Sequence, residues 1–234
     1  MRIEVLPEAE EVARRAASVV AAQARRAAAE RGRFCLALSG GTTPWRMLRI
    51  LAGETLPWES VHLFQVDERV APDGDPDRNW THIREALVDR VTIPGPNLHP
   101  MPVGAQDLEV GASSYARELE LVTGRPAVLD LVHLGLGADG HTASLVPGDP
   151  VLGLSSADVG LSRPYGGHVR MTLTYPALDR ARLLVWVVTG AEKARALASL
   201  RASDPSVPAG RVRSEGALVL ADADAAAQPG PARP

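Results

Sequence analysis

The feature that most constrains this chain is a repeated alternation: short apolar runs of strand length, each followed by a polar turn and then by residues at helical spacing. Residues 34–38 (FCLAL), 61–66 (VHLFQV), 128–134 (VLDLVHL), 182–188 (RLLVWVV) and 217–220 are apolar throughout or nearly so, with no polar residue at every second position. A strand that alternates can leave one face in water, whereas a strand that does not must be covered on both, as in a parallel sheet flanked by helices. The intervening segments have helical periodicity: 8–31, a helix beginning near Pro44, 80–89, 107–122 and the stretch TGAEKARALASL. Gly32 stops the first and Pro44 suits a first turn. These patterns predict one α/β domain over residues 1–221, three layers α/β/α around a mainly parallel, Rossmann-like sheet. Residues 147–167, rich in Gly, Pro and Ser, are expected to be an irregular excursion, and residues 222–234 a disordered tail.

Composition removes several classes of function. With 45% hydrophobic residues in 234, the chain can build a sizeable core. No run approaches the roughly 18 apolar residues of a membrane span, and acidic residues stand near the N-terminus where a secretory leader would be apolar. A cytoplasmic protein with no membrane partner is therefore expected. The formal charge of −3 gives no basic excess for a nucleic acid. Cys35 is the only cysteine and lies in an apolar run, so it reads as a small buried hydrophobe. Lys193 is the only lysine among 25 basic residues. A compact ammonium does what a planar guanidinium cannot, so a single survivor invites a role.

In a parallel sheet, ligands bind beyond the carboxyl ends of the strands, and the polar motifs fall there. After the first apolar run comes Ser39-Gly40-Gly41-Thr42-Thr43-Pro44, where glycines admit an anion to the backbone and the helix N-terminus offers free N–H groups. It reads as a monophosphate cradle, without the Gly-Lys-Ser/Thr of a triphosphate loop. After the second run, Asp67-Glu68-Arg69 places a guanidinium fork where it can hold a phosphate or carboxylate, with Asn79 at the far end of the same polar loop. After the third, Gly135-Leu136-Gly137-Ala138-Asp139-Gly140-His141 matches a dinucleotide fingerprint in letters, but Pro147 and Gly148 arrive too soon for the long helix such a fingerprint opens. Asp139 beside His141 reads better as a carboxylate orienting a general base. A zinc pair lacks a third ligand at suitable spacing. After the fourth run, Thr189-Gly190-Ala191-Glu192-Lys193 sets the lysine in the first turn of a helix, where the dipole disfavours it unless an anion is bound. Arg170, before MTLTYP, is a further candidate contact.

Taken together, LSGGTTP, FQVDERVAPDGDPDRN, LGLGADGHTASLVPG, RMTLTYPAL and VTGAEKA resemble, in order and spacing, the 6-phosphogluconolactonases, within the superfamily that also holds the glucosamine-6-phosphate deaminases. The resemblance runs from about Phe34 to Leu220, and DGHTASL is its most specific part. It implies hydrolysis of 6-phospho-D-glucono-1,5-lactone in the oxidative pentose phosphate pathway, with His141 as general base and Asp139 orienting it. By the same resemblance the substrate's anionic pocket would come from Ser39, Gly40, Gly41, Thr42, Thr43, Arg69 and Lys193; Asp67, Asn79 and Arg170 are further candidate substrate contacts on the reading of the residues themselves. A lactone is an activated ester, so neither a metal nor a cofactor is expected, and the partner is a small sugar phosphate bound by a monomer or weak homo-oligomer. The chain departs from the pattern at Arg78, where a serine is usual and the loop can sit differently, and at Val146, where phenylalanine is usual. The deaminases continue Phe-Asn-Glu-Pro after their Asp-Gly-His; here the chain reads Ser144-Leu145-Val146-Pro147, without that glutamate. An amino-sugar-phosphate deaminase or isomerase, and a non-catalytic sugar-phosphate sensor, are the alternatives.

Overall fold

The computed structural model describes residues 1–227. Seven strands form one parallel sheet: β1 (Arg2–Leu6), β2 (Phe34–Leu38), β3 (Val61–Gln65), β5 (Leu98–His99), β6 (Leu131–Leu134), β9 (Leu184–Val188) and β10 (Leu218–Asp222), in the order β1-β10-β9-β6-β2-β3-β5. All five residues of β2, β9 and β10 are buried, which is why their sequences show no polar alternation. Phe34, Leu36 and Leu38 point to one face and Cys35 and Ala37 to the other. The first face packs on α1 (Ala9–Arg31), α2 (Thr42–Ala52) and α3 (Asn79–Ala86). The second packs on α4 (Leu108–Thr123), α5 (Tyr175–Asp179), α6 (Ala194–Arg201), α7 (Pro208–Arg211) and α8 (Ala223–Ala226). Three layers result, as the sequence predicts. No helix among the described residues is long and apolar enough to cross a membrane.

Local chemistry sets the helix ends. Gly32 takes a left-handed conformation (φ 71°) and its N–H closes on the Ala28 carbonyl, ending α1. Asp107 caps α4 by accepting from the N–H groups of Glu109 and Val110. The start of α3 is capped from a distance: the fully buried Glu68 carboxylate accepts from the Asn79 and Trp80 N–H groups, both at 2.8 Å. Arg78, the unusual residue of this loop, is buried and reaches the same carboxylate (3.5 Å) and Asp73 (3.6 Å).

Four expectations are corrected. The N-terminal segment, for which the sequence predicts no element ahead of the 8–31 helix, forms the edge strand β1, paired in parallel with β10. The polar loop after β3 opens with a short strand, β4 (Asp67–Arg69). Within 147–167, expected to be irregular, lies β7 (Val159–Tyr165), which with β4 and β8 (His168–Leu173) makes a second, antiparallel sheet in the order β4-β8-β7. β7 is an edge strand and so tolerates Pro164. The disordered tail expected from residue 222 does not begin there: Asp222 ends β10 and its carboxylate caps α8 by accepting from Ala225 N–H at 2.8 Å. Residues 228–234 of that tail lie outside the described residues.

The sheet order has a switch point. From β2 the chain moves outward to β3 in one direction, and from β6 outward to β9 in the other. Adjacent strands whose connections diverge leave a crevice at their carboxyl ends, between the turns that follow β2 and β6.

Candidate active site

That crevice is a cleft of about 330 Å³. Ser39, Gly40, Gly41, Thr42, Thr43, Asp67, Arg69, Asn79, His141, Arg170 and Lys193 all line it, so the structure gathers the whole expected set except Asp139, which stands behind His141.

The floor is built from backbone. The helix starts at Thr42, before Pro44, and the Thr42 and Thr43 N–H groups lie in its first turn, where no intrahelical acceptor exists. Gly41 makes the entry at φ 130°. Gly40 passes so close to Asn79 that an added Cβ would meet its side chain, with Asn79 Cγ at 2.7 Å. Ser39 Oγ and Asn79 Oδ1 are buried and have no hydrogen-bond partner among the described residues. Such orphan groups are costly unless a ligand satisfies them. Thr43 Oγ1 lies 2.7 Å from Thr189 Oγ1, tying this turn to the one after β9. Lys193 sits in the short 3-10 turn Ala191–Lys193 that leads into α6, and among the described residues the one carboxylate within 4.0 Å of its ammonium is that of Glu192.

The wall opposite is built from side chains of the small sheet. Arg69 on β4 and Arg170 on β8 are directly paired across the strands. Like charges in that position destabilise a sheet, and neither guanidinium forms an ion pair with a carboxylate among the described residues. Burial, and then the Arg69 charge, push the Arg170 guanidinium below its ordinary value. Two cations held together without a counter-ion make a receptor for an anion. Asp67 is occupied structurally: it accepts from Ser144 Oγ at 2.7 Å and from Asn79 Nδ2 at 3.4 Å.

His141 stands at the mouth. The loop that carries it is a tight turn rather than a helix start: Gly137 N–H donates to the His141 carbonyl (2.8 Å), and Gly140 N–H to the Gly137 carbonyl (3.0 Å). This disposes of the dinucleotide fingerprint. His141 Nδ1 lies 2.6 Å from Asp139 Oδ1. Burial raises the Asp139 carboxyl, but hydrogen bonds from the His141 N–H and ring, its charge and the Tyr165 hydroxyl outweigh this and hold it below the usual carboxylate range. An ionised carboxylate only accepts, so Nδ1 carries the proton and Nε2 presents its lone pair. Gly137 makes the pair possible: a Cβ there would collide with the His141 ring and lie 2.5 Å from Asp139 Oδ1.

Sequence reasoning passed over the residues that hold this set in place. Ser144 ties the His141 loop to the small sheet through Asp67 and, by its N–H, to Thr172 Oγ1 (3.2 Å). Glu68 and Gly137 lie inside the Asp67-Glu68-Arg69 and Gly135–His141 motifs, but nothing in those motifs marks the task that the structure gives them. Tyr165 donates to Asp139 Oδ2 at 3.1 Å from a stretch read as irregular, and no local pattern marks it. Cys35 is buried as expected, and burial pushes its thiol up to about 12, which leaves it no nucleophilic role.

Residues 7–220 match the family model of glucosamine-6-phosphate isomerases/6-phosphogluconolactonase. The chain belongs to that family. It is 39% identical over 225 residues to a 6-phosphogluconolactonase of Synechocystis sp., covering 93% of each chain. To one of Nostoc sp. it is 35% identical over 234 residues, covering 97% of each. Among solved structures, the 6-phosphogluconolactonase of Thermotoga maritima superposes with a TM-score of 0.85 at 28% identity, over 94% of this chain and 98% of that one.

Proposed function

We propose that this chain hydrolyses 6-phospho-D-glucono-1,5-lactone to 6-phosphogluconate, the lactone-opening step of the oxidative pentose phosphate pathway, with His141 as general base. The observation that carries this reading is the placing of an Asp139-oriented imidazole at the mouth of a cleft that holds three cations with no firm counter-ion among the described residues. Membership of a family whose similar relatives bear the lactonase name supports it.

The phosphate is held by the 39–43 turn, Lys193 and an arginine, which places the lactone carbonyl carbon near His141. Binding energy from the remote phosphate thereby orients the reacting centre. His141 Nε2 takes a proton from water as its oxygen attacks that carbon, an effect worth roughly 10²–10⁴-fold. The ring C–O bond then breaks, and the departing alkoxide takes the proton back from the imidazolium. The acid formed ionises to the carboxylate. Asp139 keeps Nδ1 protonated throughout. Donors for the developing oxyanion are the backbone N–H groups of the glycine-rich loop or Arg69. All these groups come from one chain, so a cytoplasmic monomer or weak homo-oligomer suffices.

The deaminase alternative is disfavoured at Val146. In register with the deaminases' Phe-Asn-Glu-Pro, Ser144-Leu145-Val146-Pro147 sets a buried apolar side chain where they carry the glutamate. The test is a rate on freshly prepared lactone, corrected for spontaneous opening, beside ammonia release from glucosamine 6-phosphate. Lactone hydrolysis that drops at least 100-fold in His141→Ala is the expected result. Ammonia release, or binding without turnover, would replace the proposal with the deaminase or the sensor.

A further inference from the structure

One side chain in contact with the catalytic pair has been given no task. Tyr165 lies at the end of β7, where the hairpin to β8 turns through Gly166 (φ 59°) and Gly167 (φ 87°). Two consecutive positive φ values define the tight two-residue hairpin that only residues such as glycine form readily. Just before the turn the strand carries a bulge: Ser162 pairs with Arg170 but Tyr165 with His168, so two residues of β7 oppose one of β8. A bulge re-aims the side chains beyond it. Here the shift brings Tyr165 to the face that carries Arg170, with the Arg170 guanidinium 5.0 Å over the centre of its ring. Arg170 Nε also donates to the Tyr165 carbonyl at 3.2 Å.

The phenol end meets the catalytic pair. Its hydroxyl donates to Asp139 Oδ2 at 3.1 Å and lies 3.4 Å from His141 Nδ1, and the two rings meet edge to face at 5.3 Å. Asp139 therefore has both oxygens engaged, one by the imidazole and one by the phenol. Burial, then the Asp139 charge, push the phenol above its ordinary value, so it stays a donor at neutral pH. The carboxylate itself is exposed and, among the described residues, accepts from no other side chain. Without the hydroxyl, its side-chain anchor among those residues would be just the ring that it is meant to orient.

We infer that Tyr165 is a positioning residue for the reaction: its hydroxyl fixes the Asp139 carboxylate, which fixes His141, and Arg170 in turn clamps the tyrosine from the anion side of the cleft. The inference rests on His141 being the base. It adds a physical link between the arginine wall and the base that the motifs do not contain.

Tyr165→Phe keeps the ring, the cation contact and the backbone bond, and removes only the hydroxyl. The expected result is a kcat lowered roughly tenfold, the scale of one lost hydrogen bond to a charged group, with KM changed less than about twofold. In an Asp139→Asn background the same substitution should cost less than about twofold, because the partner that it orients is already altered. Unchanged kcat in Tyr165→Phe, or an equal loss in both backgrounds, overturns the inference. His141→Ala separates the two levels. If it is inactive while Tyr165→Phe is normal, only the role of Tyr165 falls; if it retains full rate, the base and its positioning residue fall together.

Discussion

Under the proposed function, the two sheets of this molecule divide the labour of one site. The seven-stranded sheet contributes position: its strand ends deliver free N–H groups at Thr42 and Thr43, the lysine after β9 and the Asp139–His141 turn after β6, all on short connections from fully buried strands. The three-stranded sheet contributes charge and orientation through Arg69, Arg170 and Tyr165, at the expense of facing two arginines across a ladder. A rigid apolar sheet fixes backbone well but has few side chains to spare. A small antiparallel sheet with polar residues on its strands can carry functional groups there. The Asp67–Ser144 hydrogen bond joins the two.

The largest effect should come from the rigid partner. In Gly137→Ala the new Cβ meets the His141 ring and Asp139, so the imidazole must swing away from its productive position. A misplacement of about 1 Å can cost on the order of 100-fold. We expect kcat to fall at least that far while KM and melting temperature change little, since the displaced atoms belong to side chains at the cleft mouth. A steady-state assay with a melting curve checks it; wild-type kcat would mean that the turn yields and the base is not held as described.

Next come the two kinds of cation. Losing a hydrogen bond to a charged group costs about 1.5–3 kcal/mol, or roughly 10- to 100-fold. Lys193→Ala, on the large-sheet side, should raise KM by that factor with kcat nearly constant. Arg170→Gln, on the small-sheet side, should raise KM similarly and also lower kcat, because the same guanidinium braces Tyr165. If both variants altered KM alone, the two sheets would be equivalent walls and the division between them would not hold.

The same division explains what could be read from the sequence. The large sheet was legible because burial on both faces writes itself as uninterrupted apolar runs: β2 has the bounds expected, and β9 and β10 lie within two residues of theirs. Its strand-end motifs were legible because glycines, a lone lysine and Asp-x-His are chemically loud. The small sheet was not. β4 is three charged residues and reads as a loop; β7 carries Ser162, Arg163 and Pro164 and pairs along one edge only. Tyr165 reaches Asp139 through a bulge and a turn, and its 26-residue separation leaves no local trace. Edge strand β1 was missed for a related reason: Arg2 and Glu4 break its apolar run.

The smallest predicted effect concerns pH, and it should arise in the large sheet alone. His133 on β6 is fully buried behind the anion cradle. Its Nδ1 accepts from Ser39 N–H at 3.3 Å, and its Nε2 has no partner among the described residues. Burial pushes the imidazole down from 6.5 to about 4. The unfolded chain thus binds a proton that the folded chain refuses, so the contribution to stability is complete above pH 6.5 and is lost as pH falls from there toward about 4. At pH 5.5 the loss should be on the order of 1 kcal/mol, visible as a lower denaturation midpoint. His133→Asn keeps an acceptor near Nδ1 and removes the titration. It should be less stable at pH 7, where the smaller side chain leaves space in the core, yet lose less on going to pH 5.5. Equal pH slopes for variant and wild type would show that the imidazole takes its proton in place, and would shift the acid sensitivity of the fold away from the strand behind the cradle.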